Sequence, residues 1–337
     1  MAVSTLACAF IQNMIFPPSP TAAIPIFSPT SAPPTVEPAL PTQTATVHFE
    51  PACPSLLADI MRVATDPSAR TPEEETPVHF LVTYTIEEDK LGKRLDIFVP
   101  NELKSEWDAR AAHEALWRYF AALIPEQERE YVAEFSVMSD GYENGLASVG
   151  LTYDDLTKWG LNVDILDSRD PHLFTFTLMH EFGHLHTLNS KQVAIDRLLL
   201  RNPEDAAIRD RAVSACPQYH TGTGCSQPNS YLSEFFNRYW KDLFSEWQEI
   251  EAEVEEDEIY YSRLGEFYKI YQDQFLTKYA ATSPTEDIAE SWAFFVLSPK
   301  PALNSIADEK ILFFYEYPEL VTLRQELLNR VCAEFPK

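Results

Sequence analysis

The stretch "LMHEFGHLHT" at residues 178–187 constrains the fold most, because it spells H-E-x-x-H with His180, Glu181 and His184. Side chains four residues apart share one face of an α-helix, so a helix here brings both imidazoles to a single ion. Glu181 lies about 100° round from His180, where it can take a proton from water instead of binding the metal. With 8 histidines and 52 acidic residues in 337, composition alone yields about 0.03 such matches, so coincidence explains the motif poorly. A catalytic zinc takes three protein ligands and keeps a fourth position open. The chain therefore has to supply one more.

The elongated form of the motif needs a glycine at position 187 and a histidine at 190. The chain has Thr187 and Ser190 there, which excludes that class. His186 sits about 200° round the helix from His184 and reads as a helix-face residue. A later carboxylate is the remaining source. In "KYAATSPTEDIAESWAFFVL" (278–297), Ser283 and Pro284 mark a helix start, and Glu286 and Glu290 fall one turn apart on an otherwise apolar helix. Ser283-x-x-Glu286 is also a capping box, in which the glutamate folds back onto its own helix end. Capping leaves Glu290 without an explanation, since a carboxylate on a buried helix needs a charged partner or a metal. Asp287 points about 100° away and is the weaker ligand candidate. Gly183 reads in two ways, as room for a substrate or strand beside the ion or as a close helix contact.

The net charge of −26 and a pI near 4.6 argue against nucleic acid as a partner, because phosphates need Lys and Arg. Only 9 glycines, with no Gly-rich loop among them, argue against a nucleotide site. Residues 1–16 are apolar and precede the first basic residue, Arg62. They look like the remnant of an export leader and are too few to span a membrane. "TLAC" ending at Cys8 is a loose lipobox, which makes Cys8 a candidate for lipidation and a membrane anchor; an ordinary apolar residue in a tail fits equally. Residues 17–54 read as a Pro/Thr-rich linker, with Glu37 the one charge between 17 and 46. Proline removes amide donors and fixes φ, so such a segment favours extended polyproline and builds no core. Cys216 and Cys225 bracket the short loop "CPQYHTGTGC" and are expected to close it as a disulfide. Cys53 and Cys332 are the preferred second pair, at the start and end of the globular part, with Cys8 left over. Together these features point to an extracytoplasmic chain, secreted or tethered at a cell surface.

Residues 55–337 read as α+β: a sheet-containing half over 55–170 and a helical half over 171–337. "HFLVTYT" (79–85) and "RLDIFVP" (94–100) form a strand pair around the polar turn "IEEDKLGK", and 103–124 is an amphipathic helix stopped by Pro125. "YVAEFSVMSD" and "WGLNVDILD" are further strands. Phe235, Phe236, Tyr239 and Trp240 read as core contacts of a long helix. The acidic run 249–258 reads as a solvated face or loop, since it lacks the glycine and ligand spacing of a calcium loop.

A small mixed sheet, a helix ahead of the H-E-x-x-H helix and a helical half after it resemble the architecture of zincin metallopeptidases. "HEFGH" with Tyr279, Glu286 and Glu290, in the spacing Y-x6-E-x3-E, further resembles the catalytic-domain family of anthrax lethal factor and the clostridial Pro-Pro endopeptidases. The likeness covers about 171–190 and 276–297, and the stretch between the two motifs is longer than in that family. It implies one zinc ion per chain held by His180, His184 and Glu286. It further implies Glu290 as support for a histidine ligand, Tyr279 as oxyanion donor and Glu181 as general base. The function so implied is a zinc-dependent endopeptidase acting on peptide or protein substrates. The alternative is an exported, tethered binding module whose zinc site is structural or inactive.

Overall fold

A computed structural model describes residues 51–66, 78–141, 145–251 and 257–336. The leader, Cys8 and residues 17–50 of the linker lie outside the described residues, as do positions 252–256 of the acidic run. The described chain is α+β with a five-stranded mixed sheet.

The expected strand pair forms from β1 (His79–Glu87) and β2 (Lys90–Asp96). Its turn is shorter than the polar run implied. Only Glu88 and Asp89 lie between the strands, both at positive φ (47° and 61°), as a two-residue type I′ turn requires. Neither residue is a glycine, so the turn is held from outside: Arg129 donates to the Asp89 carboxylate, and Trp117 Nε1 donates to the Asp89 carbonyl at 3.0 Å. The strand expected to run to residue 100 ends at Asp96. Ile97 and Phe98 leave the sheet, and Phe98 is 94% exposed. β3 (Val132–Ser139) pairs antiparallel with β1 and parallel with β5 (Trp159–Asp164), while β4 (Ala147–Leu151) forms the edge, antiparallel to β5. The sheet order is β2-β1-β3-β5-β4.

Helix α1 (Pro54–Ala64) precedes the sheet. The helix expected over 103–124 is two, α2 (Lys104–Asp108) and α3 (Arg110–Leu123), broken at Ala109, whose φ and ψ of −75° and 51° interrupt the helix. After β5 the chain turns on Asp164. Its buried carboxylate accepts from the backbone N–H of Asp140 (2.8 Å), Leu166 (2.6 Å) and Asp167 (3.3 Å). Burial pushes this carboxyl up to about 6 even so. The turn leads into α4 (Pro171–Leu188), which starts on a proline and is capped by Asp170 through His172 N and Leu173 N. Then follow β6 (Val193–Ile195), α5 (Arg197–Arg201), α6 (Ala206–Ala215) and β7 (Gly224–Ser226), with β6 and β7 paired antiparallel. At Gly224 a Cβ would lie 2.2 Å from the Ala194 carbonyl oxygen, so only glycine lets these strands approach. The helical half continues as α7 (Tyr231–Tyr239), α8 (Phe244–Glu251), α9 (Asp257–Ile270), α10 (Pro284–Leu297), α11 (Ile306–Phe313) and α12 (Pro318–Glu334). Phe235, Tyr239 and Trp240 are core residues, although α7 is short.

α4 and α10 pack on each other, with α1 and β4 also against α4. Gly183 sits at their crossing. A Cβ there would come within 3.0 Å of Trp292 Cδ1 and 3.1 Å of Ala289 Cα, so this glycine serves close helix packing. Both expected disulfides are present, Cys53–Cys332 and Cys216–Cys225. The first closes a loop of 279 residues and the second one of 9. In chain-entropy terms, replacing the first pair by serines should cost about 6 kcal/mol and the second about 3 kcal/mol. Denaturant unfolding of the two double variants checks this; equal losses would contradict it.

Candidate metal centre

α4 and α10 supply the whole cluster. His180 and His184 are one turn apart on α4, and their Nε2 atoms stand 3.1 Å apart. From α10, Glu286 Oε2 lies 3.0 Å from His180 Nε2 and 3.2 Å from His184 Nε2. All three residues are buried. Three ligands at 2.0–2.1 Å in tetrahedral arrangement stand about 3.3 Å apart, so this triangle is close to the size zinc needs. Two nitrogens and one carboxylate oxygen are also a donor set suited to zinc. His180, His184 and Glu286 thus form a buried cluster able to hold a metal ion.

The electrostatics of the cluster favour a cation. Burial alone would raise the Glu286 carboxyl, yet the imidazoles of His184 and His180 beside it hold it well below the usual carboxylate range. Burial likewise opposes charge on His180, but Glu286 and Glu290 outweigh it and push the ring up to about 10. Two buried carboxylates therefore call for positive charge at this point.

Ser283 caps α10 by accepting from Glu286 N at 3.1 Å, while the Glu286 carboxylate turns to the histidines. The capping box is therefore only half formed. Glu290 is fully buried, with Oε1 3.2 Å from His180 Nδ1, and its Oε2 accepts from Thr277 Oγ1 at 3.0 Å. Nothing in the local sequence marks Thr277 for this contact. His184 differs: its Nδ1 is buried with no hydrogen-bond partner among the described residues, whereas His180 Nδ1, though not in a well-aligned hydrogen bond, has the Glu290 carboxylate against it. Glu290→Ala should accordingly weaken metal affinity by about 10- to 100-fold without abolishing it, as measured by chelator competition. Outright loss of metal here, with metal retained in Glu286→Ala, would mean that Glu290, not Glu286, is the ligand.

Glu181 is 4% exposed on α4, next to His180. Tyr279 lies at the rim, 38% exposed, with its ring centroid 5.7 Å from that of His180. His186 is apart from the cluster. Its ring stacks on Trp292 (4.9 Å) and Tyr231 (5.6 Å), and burial lowers its pKa to about 4, which keeps it neutral. Asp287 faces the core and meets Lys310 instead of the cluster. Asp140, Asp164 and Asp167 also gather three carboxylates. There Asp164 is already committed to three backbone amides of the turn before α4. The chain matches no family model, no curated protein and no solved structure.

Proposed function

We propose that the chain is a zinc-dependent endopeptidase of the zincin type, with residues 55–337 as its catalytic domain. The convergence of His180, His184 and Glu286 on one buried point, with Glu181 beside them, carries this reading. A structural zinc site closes with four protein ligands, whereas this cluster offers three among the described residues. That difference favours a catalytic use over a structural one.

A zinc ion held by His180, His184 and Glu286 would supply Lewis acidity, polarising a carbonyl and making water acidic enough to lose a proton near neutral pH. Glu181 accepts that proton as the water attacks a peptide carbonyl, then delivers it to the leaving amine. Tyr279 donates a hydrogen bond to the developing oxyanion from the rim of the site. Glu290, braced by Thr277, fixes the ring of His180. The two disulfides and the Pro/Thr-rich tether support an extracytoplasmic setting, secreted or at a cell surface. No helix among the described residues is long and apolar enough to cross a membrane.

Tyr279→Phe tests the assignment on an unstructured substrate such as casein. The variant should keep its zinc and lose about 10²- to 10³-fold in kcat. Unchanged turnover would remove Tyr279 from the mechanism, and loss of zinc would make it a support of the site.

A further inference from the structure

Asp287 follows Glu286 on α10 but projects about 100° round the helix, into the core. Its Oδ2 accepts from Lys310 Nζ at 2.6 Å and from Trp240 Nε1 at 2.7 Å. The side chains of Asp287 and Lys310 are both fully buried. The Lys310 ammonium also lies 4.2 Å from the ring centroid of Phe275, 5.8 Å from that of Tyr239 and 5.9 Å from that of Phe235. Aromatic faces attract a cation, so α11, α7 and the segment before α10 meet at one charge.

Stability does not explain this arrangement. Burying a lysine and a carboxylate costs several kcal/mol in lost hydration, and apolar replacements of similar volume often leave a protein as stable or more so. The rotation of α10 does explain it. Every residue from Glu286 to Leu297 is buried, so the helix has no solvent-facing side to set its orientation. A rotation by one residue would aim Asp287 at His180 and His184 in place of Glu286. Beside the close fit of Ala289 and Trp292 on Gly183, polar contacts with fixed partners distinguish the two settings.

We infer that the Lys310–Asp287–Trp240 contact is a positioning device for the metal centre. It fixes the rotation of α10 so that Glu286 meets the two histidines. Through Phe275, two residues before Thr277 and four before Tyr279, it also anchors the segment that braces Glu290 and lines the rim. The inference rests on the metal-centre reading proposed above.

The test compares the full-length wild type with the double variant Asp287→Leu/Lys310→Met, which removes both charges at similar volume. The single variant Lys310→Met leaves a carboxylate buried without its cation and should be strongly destabilised. The double variant should unfold within about 5 °C of the wild type when both are metal-free. Its affinity for Zn²⁺, measured against a chromogenic chelator, should fall by about 10- to 100-fold. A double variant that folds and binds Zn²⁺ like the wild type overturns the inference. So does one that fails to fold, because the pair would then be a stability device. A wild type that takes up no Zn²⁺ overturns the proposed function and this inference with it, an outcome distinct from both.

Discussion

Glu181→Gln should retain the metal and the fold while losing about 10²- to 10⁴-fold in turnover, the usual contribution of a general base. The carboxamide has nearly the same shape but cannot accept the proton that water must give up. Glu181 is on α4 beside His180 yet outside the triangle of Nε2 and Oε2 atoms, so its exchange leaves those three contacts in place. Metal content and casein cleavage, measured on the same preparation, separate the two effects. Full activity in the variant would exclude Glu181 as the base even if the chain is a peptidase. Loss of metal would place Glu181 among the ligands.

The second large effect concerns the ligands themselves. His184→Ala and Glu286→Ala should each lose metal outright, because removing one of three donors leaves too few to hold an ion in a site with an open position. For Glu286 the change also takes away a buried negative charge that the two imidazoles hold in its ionised form. Elemental analysis of each variant after dialysis gives the answer. Full occupancy in Glu286→Ala would mean that the glutamate is no more than part of the α10 cap, as the sequence Ser283-x-x-Glu286 allows.

What the sequence disclosed and what it hid follow from the range of the forces involved. α4 and α10 are legible because local signals mark them: the His180/His184 spacing for α4, and Ser283 followed by Pro284 for α10, whereas the Asp170 cap of α4 emerges only in the structure. The convergence of their side chains joins residues 106 apart, and only the chemistry of zinc and a family resemblance point to it from the sequence. Thr277, Lys310 and Trp240 had no such signal. Lys310 in "DEKILFF" reads as an exposed charge on a helix, yet it is completely buried, because Asp287 and three aromatic rings from other elements surround it. The errors in the sheet have the same origin. "IFVP" has the composition of a strand but finds no partner beyond Asp96, while "ASVGL" is short and holds a glycine yet pairs with β5 at the sheet edge. Strand pairing is a long-range property, and propensity is a weak guide to it. Gly183 needed the α4–α10 contact itself before its role could be assigned.

Zinc-dependent hydrolysis by the wild type is the most direct test of the central claim. The full-length protein, purified with its disulfides intact, is assayed for zinc content and incubated with a broad peptide library. The assay is repeated after chelation and again after Zn²⁺ is restored. Close to one zinc per chain is expected, with cleavage at defined peptide bonds, its loss on chelation and its return with zinc. A protein that holds zinc at full occupancy and cleaves nothing in the library, or one whose cleavage survives removal of the metal, would contradict that claim.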